Sequence, residues 1–257
     1  MRRPPFMEVL QLSAWYGGVQ ALDQVSIELM PQEILGLAGA PKSGRTTLMH
    51  CLCRPMDTHS RLRVVGQILM RGRSVIRNHW RNDEYRNRFA WVGDRTSGFA
   101  GSVHDVCLSR IPEHMKTGGT LALSEHVKAC LDMVQLLEDL PGAPEDVSAL
   151  ELTPGQRLQL DLARAIASQP DVLLVDLRTP PPDAKAMRTV EETLLALRLK
   201  MPVVLASDDA HQMLRICDRV ACLQNGRLAE VGPAVWMARN PTTREARRVF
   251  SKITSVA

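Results

Sequence analysis

The hydrophobic positions along the chain change period several times, and each change marks an element. Between residues 22 and 30, Val25, Ile27 and Leu29 alternate with polar neighbours, the two-residue period of a half-buried strand. The unbroken apolar run from Ile34 to Ala38 reads as a buried strand, and helical spacing follows from Thr46 to about Cys53. Val64–Met70 and Phe89–Val92 read as further strands. Over residues 124–140, Val127, Cys130, Leu131, Val134 and Leu137 share a helical face, with Ser124 as the expected N-cap. Thr153-Pro154 opens a second strong helix: threonine caps well, proline suits the first helical position, and Leu158, Leu162 and Ile166 form its apolar side. Val172–Val175 lacks polar alternation, as a strand covered on both faces does. A helix over about 184–199, a strand at Val203–Ala206, a helix over about 209–216 and a strand at Val220–Leu223 follow. Asn225-Gly226 then signals a tight hairpin into Arg227–Val231.

Alternating strands and helices after an initial β portion predict an α/β fold with a parallel central sheet. Residues 96–165, rich in helical pattern, interrupt the alternation and predict a helical subdomain within one domain of residues 1–257; the core is then about 1–95 and 166–257. The length of 257 residues is ample for a real core, and 45% hydrophobic with 23% charged residues is ordinary for a globular chain. A formal net charge of +4 gives no reason to expect nucleic acid. The six cysteines form no CxxC pair and read as reduced core thiols. MRRPPFMEVL has basic residues without an apolar run behind them, so no signal peptide is expected, and no apolar stretch is long enough for a membrane span.

Between the Ile34–Ala38 strand and the following helix lies Gly39-Ala40-Pro41-Lys42-Ser43-Gly44-Arg45-Thr46, then Thr47. This matches the phosphate-loop pattern GxxxxGK[ST] except at Arg45, where lysine belongs. Backbone N–H groups of such a loop and the helix N-terminus cradle phosphates, and Thr46 can ligate Mg²⁺. Taken alone, the segment could equally be a glycine-containing turn that opens a helix. Arginine keeps the charge of lysine but is longer, planar and forked, so it would crowd a terminal phosphate or point away. Lys42 supplies a second cation that is either a partial substitute or simply solvated.

Leu152-Thr153-Pro154-Gly155-Gln156, continued by RLQLDLARAIASQPDVLLVD, closely resembles the signature helix and Walker B strand of ABC ATPases. The likeness extends over nearly the whole chain. It is greatest to the phosphate-import ATP-binding subunits, in the CRPMDTHSRLRVVGQILMRGRSV and Gly101–Val106 segments. The resemblance implies a P-loop NTPase of ABC type with ATP and Mg²⁺ as ligands. Tyr16, ahead of Gly17-Gly18, matches the aromatic that stacks on adenine; the alternative is a core aromatic at a strand end. Asp176 matches the Walker B aspartate and, with Thr46, the metal site. Four positions depart from the family pattern: Arg45 at the phosphate-loop lysine, Asp94 at the Q-loop glutamine, Leu177 at the general-base glutamate and Asp208 at the switch histidine. The D-loop position reads Pro180-Pro181-Pro182-Asp183, and Pro154 removes one N–H from the signature. Leu177 can neither accept a proton nor orient water, and Asp94 and Asp208 add negative charge where a nucleotide's phosphates are expected.

The resemblance further implies a head-to-tail dimer, with itself or with a consensus ABC ATPase, that docks membrane permease subunits from the cytoplasmic face of the plasma membrane. In such a dimer the damaged phosphate loop is this chain's own, whereas its less altered signature completes the partner's site. Three readings stay open: a transporter subunit whose own hydrolysis is weak or absent, a non-catalytic nucleotide sensor or scaffold outside transport, and a decaying copy without function, against which the intact core argues only weakly. Coiled-coil insertions typical of DNA-repair relatives are absent. The basic stretch Arg71, Arg73, Arg77, Arg81, Arg86, Arg88 and Arg95, interleaved with Trp80, Tyr85 and Trp91, reads either as a partner-facing patch or as a solvated surface with a few core aromatics.

Overall fold

The computed structural model describes residues 4–53, 62–75, 85–93, 100–177 and 184–254. The chain divides into two compact units, residues 1–86 with 198–257 and residues 87–197.

The first unit carries two sheets. One is antiparallel, built from β1 (Met7–Tyr16), β2 (Val19–Leu29), β4 (Leu62–Met70) and the short β5 (Arg73–Ser74), in the order β2-β1-β4-β5. Strand β2 follows its alternation: Val25, Ile27 and Leu29 are buried. Strand β1 is a strand that periodicity misses. Its register to β2 shifts three times between Val9 and Trp15, and Gln11 sits at φ 48°, so apolar and polar positions lose their two-residue beat. The second sheet has β3 (Ile34–Ala38) at its centre, parallel to β8 (Val203–Ser207) on one side and to β9 (Arg219–Gln224) on the other. All five β3 residues and all five β8 residues are buried, which explains their unbroken apolar runs. β9 turns through Asn225 and Gly226, both at positive φ, into antiparallel β10 (Arg227–Pro233), as the Asn-Gly signal predicts. Helices α1 (Arg45–Cys53), α6 (Ala210–Ile216), α7 (Ala234–Arg239) and α8 (Arg244–Thr254) complete this unit. Its core includes Leu12, Leu22, Ile34, Leu37, Leu48, Met49 and Phe250, each nearly solvent-free. Each such leucine contributes about 1.5–3 kcal/mol through burial.

The second unit pairs β6 (Phe89–Gly93) with β7 (Val172–Leu177) in parallel and is otherwise helical: α2 (Val103–Leu108), a 3₁₀ turn (Glu113–Gly118), α3 (Thr120–Met133), α4 (Pro154–Ala167) and α5 (Ala184–Leu197). Helix α3 corrects two expectations. It begins at Thr120 behind Gly119, not at Ser124, whose hydroxyl instead donates to Glu145 Oε1 at 3.1 Å. It also stops at Met133, because Gln135 adopts φ 54° and reverses the chain; Leu136 is buried, while Leu137 is only half so. On α4, Leu158 is half-buried; Leu160, Leu162 and Ile166 are the buried aliphatics. All six cysteines are buried and free. Among the described residues no helix is long and apolar enough to cross a membrane. The α/β architecture, with mixed sheets, an N-terminal antiparallel portion and a helical segment, is the one the sequence predicts.

Candidate functional site

The loop from Gly39 to Gly44 leaves β3 at the end of a fully buried strand and enters α1 at Arg45. Gly39 has φ 145°, and a Cβ there would lie 2.3 Å from the Leu223 carbonyl oxygen and 2.7 Å from Ser43 Oγ. Only glycine fits. Gly44, at φ 107°, is wedged in the same way against Leu22 and the Ala21 carbonyl. The loop closes on itself through Ser43 N–H to Ala40 O at 3.0 Å, and Ser43 O accepts from Gly226 N–H at 2.9 Å. Ser43 Oγ is buried without a hydrogen-bond partner among the described residues. Pro41 and Lys42 are exposed, Ala40 and Thr46 half-buried, and Thr47 buried. Lys42 is held at φ 66° and makes no ion pair with any described residue.

Arg45 is engaged at the end of β8. Its side chain is only 4% exposed, and its NH1 donates to Asp208 Oδ1 at 2.6 Å and to the Ser207 carbonyl at 3.0 Å. Asp208 follows the last residue of β8, and Asp209 beside it caps α6 by accepting from His211 and Gln212 N–H. Two of the four unusual positions thus satisfy each other. An arginine at the lysine position reaches an aspartate at the histidine position, and charge-assisted hydrogen bonds of this kind are among the stronger ones in proteins.

Tyr16 ends β1, half-buried, with its hydroxyl 3.2 Å from His50 Nδ1 on α1. The aromatic candidate and the phosphate loop are therefore joined through one helix. Glu245, on the first turn of α8, is buried and accepts from Ala40 N–H at 3.0 Å. No local pattern signals Glu245 or His50: the first is 205 residues from its partner and the second 34.

In the second unit, Asp176 is buried near the end of β7 and Leu177, half-buried, closes the strand. Gly93 at φ 133° lies against Asp176, where a Cβ would come within 2.4 Å of the Asp176 carbonyl oxygen. Gly93 N–H donates to Asp161 Oδ2 at 2.9 Å, and Asp161 also pairs with Arg164 at 2.6 Å. Burial pushes the Asp161 carboxyl upward, and Arg164 and the Gly93 N–H pull against it. Asp161 is a buried carboxylate that periodicity passes over, because it sits inside an apolar helix face. Asp94 and the 180–183 segment lie outside the described residues, as do Arg77, Trp80, Arg81 and Arg95. Tyr85 is a buried core aromatic whose hydroxyl donates to the Leu52 carbonyl.

The signature segment forms a capped helix start. Thr153 Oγ1 accepts from Gln156 N–H at 3.3 Å, Gln156 Oε1 accepts from Thr153 N–H at 3.0 Å, and Pro154 occupies the first turn. Gln156 Nε2 donates onward to Asp139 O at 3.2 Å, and Arg157 ties the preceding loop through Leu152 O and Leu150 O. Leu152 and Gly155 are buried, whereas Thr153 and Pro154 are exposed.

No group of three or more His, Cys, Asp or Glu side chains able to hold a metal occurs among the described residues.

The ABC transporter family model matches residues 22–179. Phosphate import ATP-binding protein PstB 2 of Mycobacterium tuberculosis is 31% identical over 244 residues, covering 95% of this chain and 87% of that protein. PstB 1 of Streptococcus pyogenes serotype M6 is 26% identical over 248 residues, covering 96% and 97%. Among solved structures, a bacterial Atm1-family ABC exporter with ATP bound superposes with a TM-score of 0.80 at 18% identity, over 97% of this chain and 42% of that one. cbiO1 from Clostridium perfringens gives 0.75 at 17%, over 98% and 93%. The family model over residues 22–179 and the 31% identity over 95% of the chain make it a member of the ABC transporter family, built as its ATP-binding domain, with a strand–glycine loop–helix segment and a capped Thr153-Pro154 helix in the order the sequence predicts.

Proposed function

We propose that the chain is the nucleotide-binding subunit of an importer similar to the phosphate-import systems. In this reading it binds ATP with Mg²⁺ at its P-loop, with Tyr16 against the base and Thr46 and Asp176 toward the metal. It works in a head-to-tail dimer beneath membrane permease subunits, peripheral to the inner face of the plasma membrane. Its own P-loop site turns over weakly or not at all. The observation that carries this reading is the Arg45–Asp208 pair: the cation that would neutralise the transferred phosphoryl group is already neutralised by the residue at the switch position. Leu177 leaves the general-base position empty of chemistry, since a side chain without a lone pair cannot take a proton from water. The likeness to phosphate-import subunits supports the substrate class, which the membrane and binding subunits would select.

The test is calorimetry with Mg-ATP and a phosphate-release assay on the full chain, beside a triple variant Arg45→Lys, Leu177→Glu, Asp208→His. The expected result is binding without measurable turnover in the natural chain and a gain of about 10²-fold or more in the variant. Turnover at ordinary rates in the natural chain overturns the weak-site reading. Absence of binding overturns the nucleotide reading.

A further inference from the structure

The charges around the P-loop are unevenly distributed. A cation at the Arg45 position is the one that reaches the β- and γ-phosphates in a P-loop. Here that cation is buried, and its NH1 donates both to Asp208 Oδ1 and to the Ser207 carbonyl. Asp208 is half-exposed, its carboxylate at the mouth of β8 beside the same position. The net charge at the terminal-phosphate end of the loop is therefore close to zero, with an anion facing outward. Lys42, on the exposed face of the loop, is left as a cation without an ion pair among the described residues. The loop N–H groups and the start of α1 remain positive, since they are backbone features.

From this we infer that the P-loop is selective for a nucleoside diphosphate over a triphosphate, and that Asp208 is the specificity-determining residue. The inference rests on the nucleotide-binding reading above and narrows it. The backbone phosphate cradle serves a diphosphate as well as it serves a triphosphate. A third phosphate brings one more negative charge toward the Asp208 carboxylate, and Arg45 NH1 cannot turn to it without leaving both of its partners. Withdrawing Arg45 would also strip the buried Ser207 carbonyl of that donor, so diverting it carries a double cost. Like charges near one another disfavour the ligand that carries the third phosphate, by the modest amount that an exposed carboxylate leaves after screening by water.

The test titrates the full chain with ADP and with ATP in a calorimeter, in EDTA so that neither ligand is converted into the other. The same titrations follow on Asp208→Asn, which keeps the side-chain shape and can still accept from Arg45; a thermal melt establishes that the variant is folded. The natural chain is expected to bind ADP about tenfold or more tightly than ATP. Asp208→Asn is expected to strengthen ATP more than ADP and bring the two within about threefold. ATP binding as tightly as ADP in the natural chain, or an unchanged ratio in Asp208→Asn, overturns the inference while leaving nucleotide binding standing. Failure of both nucleotides to bind in EDTA and with Mg²⁺ alike overturns the nucleotide-binding reading itself.

Discussion

Arg45 and Asp208 show how a residue that looks like a conservative replacement changes its surroundings. A lysine ammonium is a compact point charge, whereas a guanidinium spans farther and donates from several nitrogens. At position 45 that reach is used sideways, toward the end of β8. Arg45→Ala removes a buried donor from both the Ser207 carbonyl and Asp208, and it is expected to cost about 1–3 kcal/mol in urea unfolding. Arg45→Lys is expected to cost less, because a shorter cation can keep one of the two bonds. The thiols make a second prediction at this scale. Burial pushes Cys51, Cys107 and Cys222 up to about 12 and Cys130 to about 11. A maleimide at neutral pH is therefore expected to label the native chain slowly at these positions and rapidly after denaturation. Fast native labelling of Cys51 or Cys107 would contradict their placement in the core.

At the scale of elements, the C-terminal helix supports the phosphate loop. The Glu230 carboxylate on β10 accepts from Thr242 N–H, Thr243 N–H and the Thr243 hydroxyl. Thr243 in turn accepts from Ala246 N–H in the first turn of α8, and Glu245 there receives the Ala40 N–H. Partial burial pushes the Glu230 carboxyl up, but the Thr243 and Thr242 hydrogen bonds outweigh it, and the group is held below the usual glutamate range. A depressed folded value means that this stabilisation is full above the ordinary glutamate value and is lost as pH falls through the folded one. Glu230→Gln is expected to flatten the acid limb of a stability-versus-pH curve. Glu245→Gln keeps the shape but weakens the acceptor, and a fall of a few-fold in nucleotide affinity with little change in melting temperature is expected. Thr153→Ala removes the cap of α4 and is expected to cost about 1 kcal/mol in denaturant unfolding. The strands β2, β3 and β8, and the start of α4, were legible in sequence because each is governed by neighbours in the chain: alternation, an apolar run, or Thr-Pro. Strand β1 was not legible, since its bulges are set by pairing with β2 and β4. The Glu245–Ala40 and Arg45–Asp208 contacts were not legible either. The sequence displays Arg45 and Asp208 as two separate anomalies, and only the chain's return through β8 makes them one.

At the scale of the whole molecule, a head-to-tail arrangement would leave this chain with a weak P-loop and a usable signature. Mixed with a consensus partner subunit, it is expected to support turnover that disappears when the partner's general-base glutamate is changed to glutamine. Adding glutamate at Leu177 alone should not restore that turnover. Equal loss from changes in either chain would argue against the asymmetry. The Arg45–Asp208 pair also has a consequence for how such a chain can change through time. Restoring histidine at 208 alone sets an imidazole beside a buried guanidinium, and restoring lysine at 45 alone leaves a carboxylate at the mouth of the phosphate loop. On the proposed reading, either single exchange meets a site built for the other residue, and Leu177 leaves both without a base. The two positions then behave as one unit of inheritance, since neither exchange alone would bring turnover.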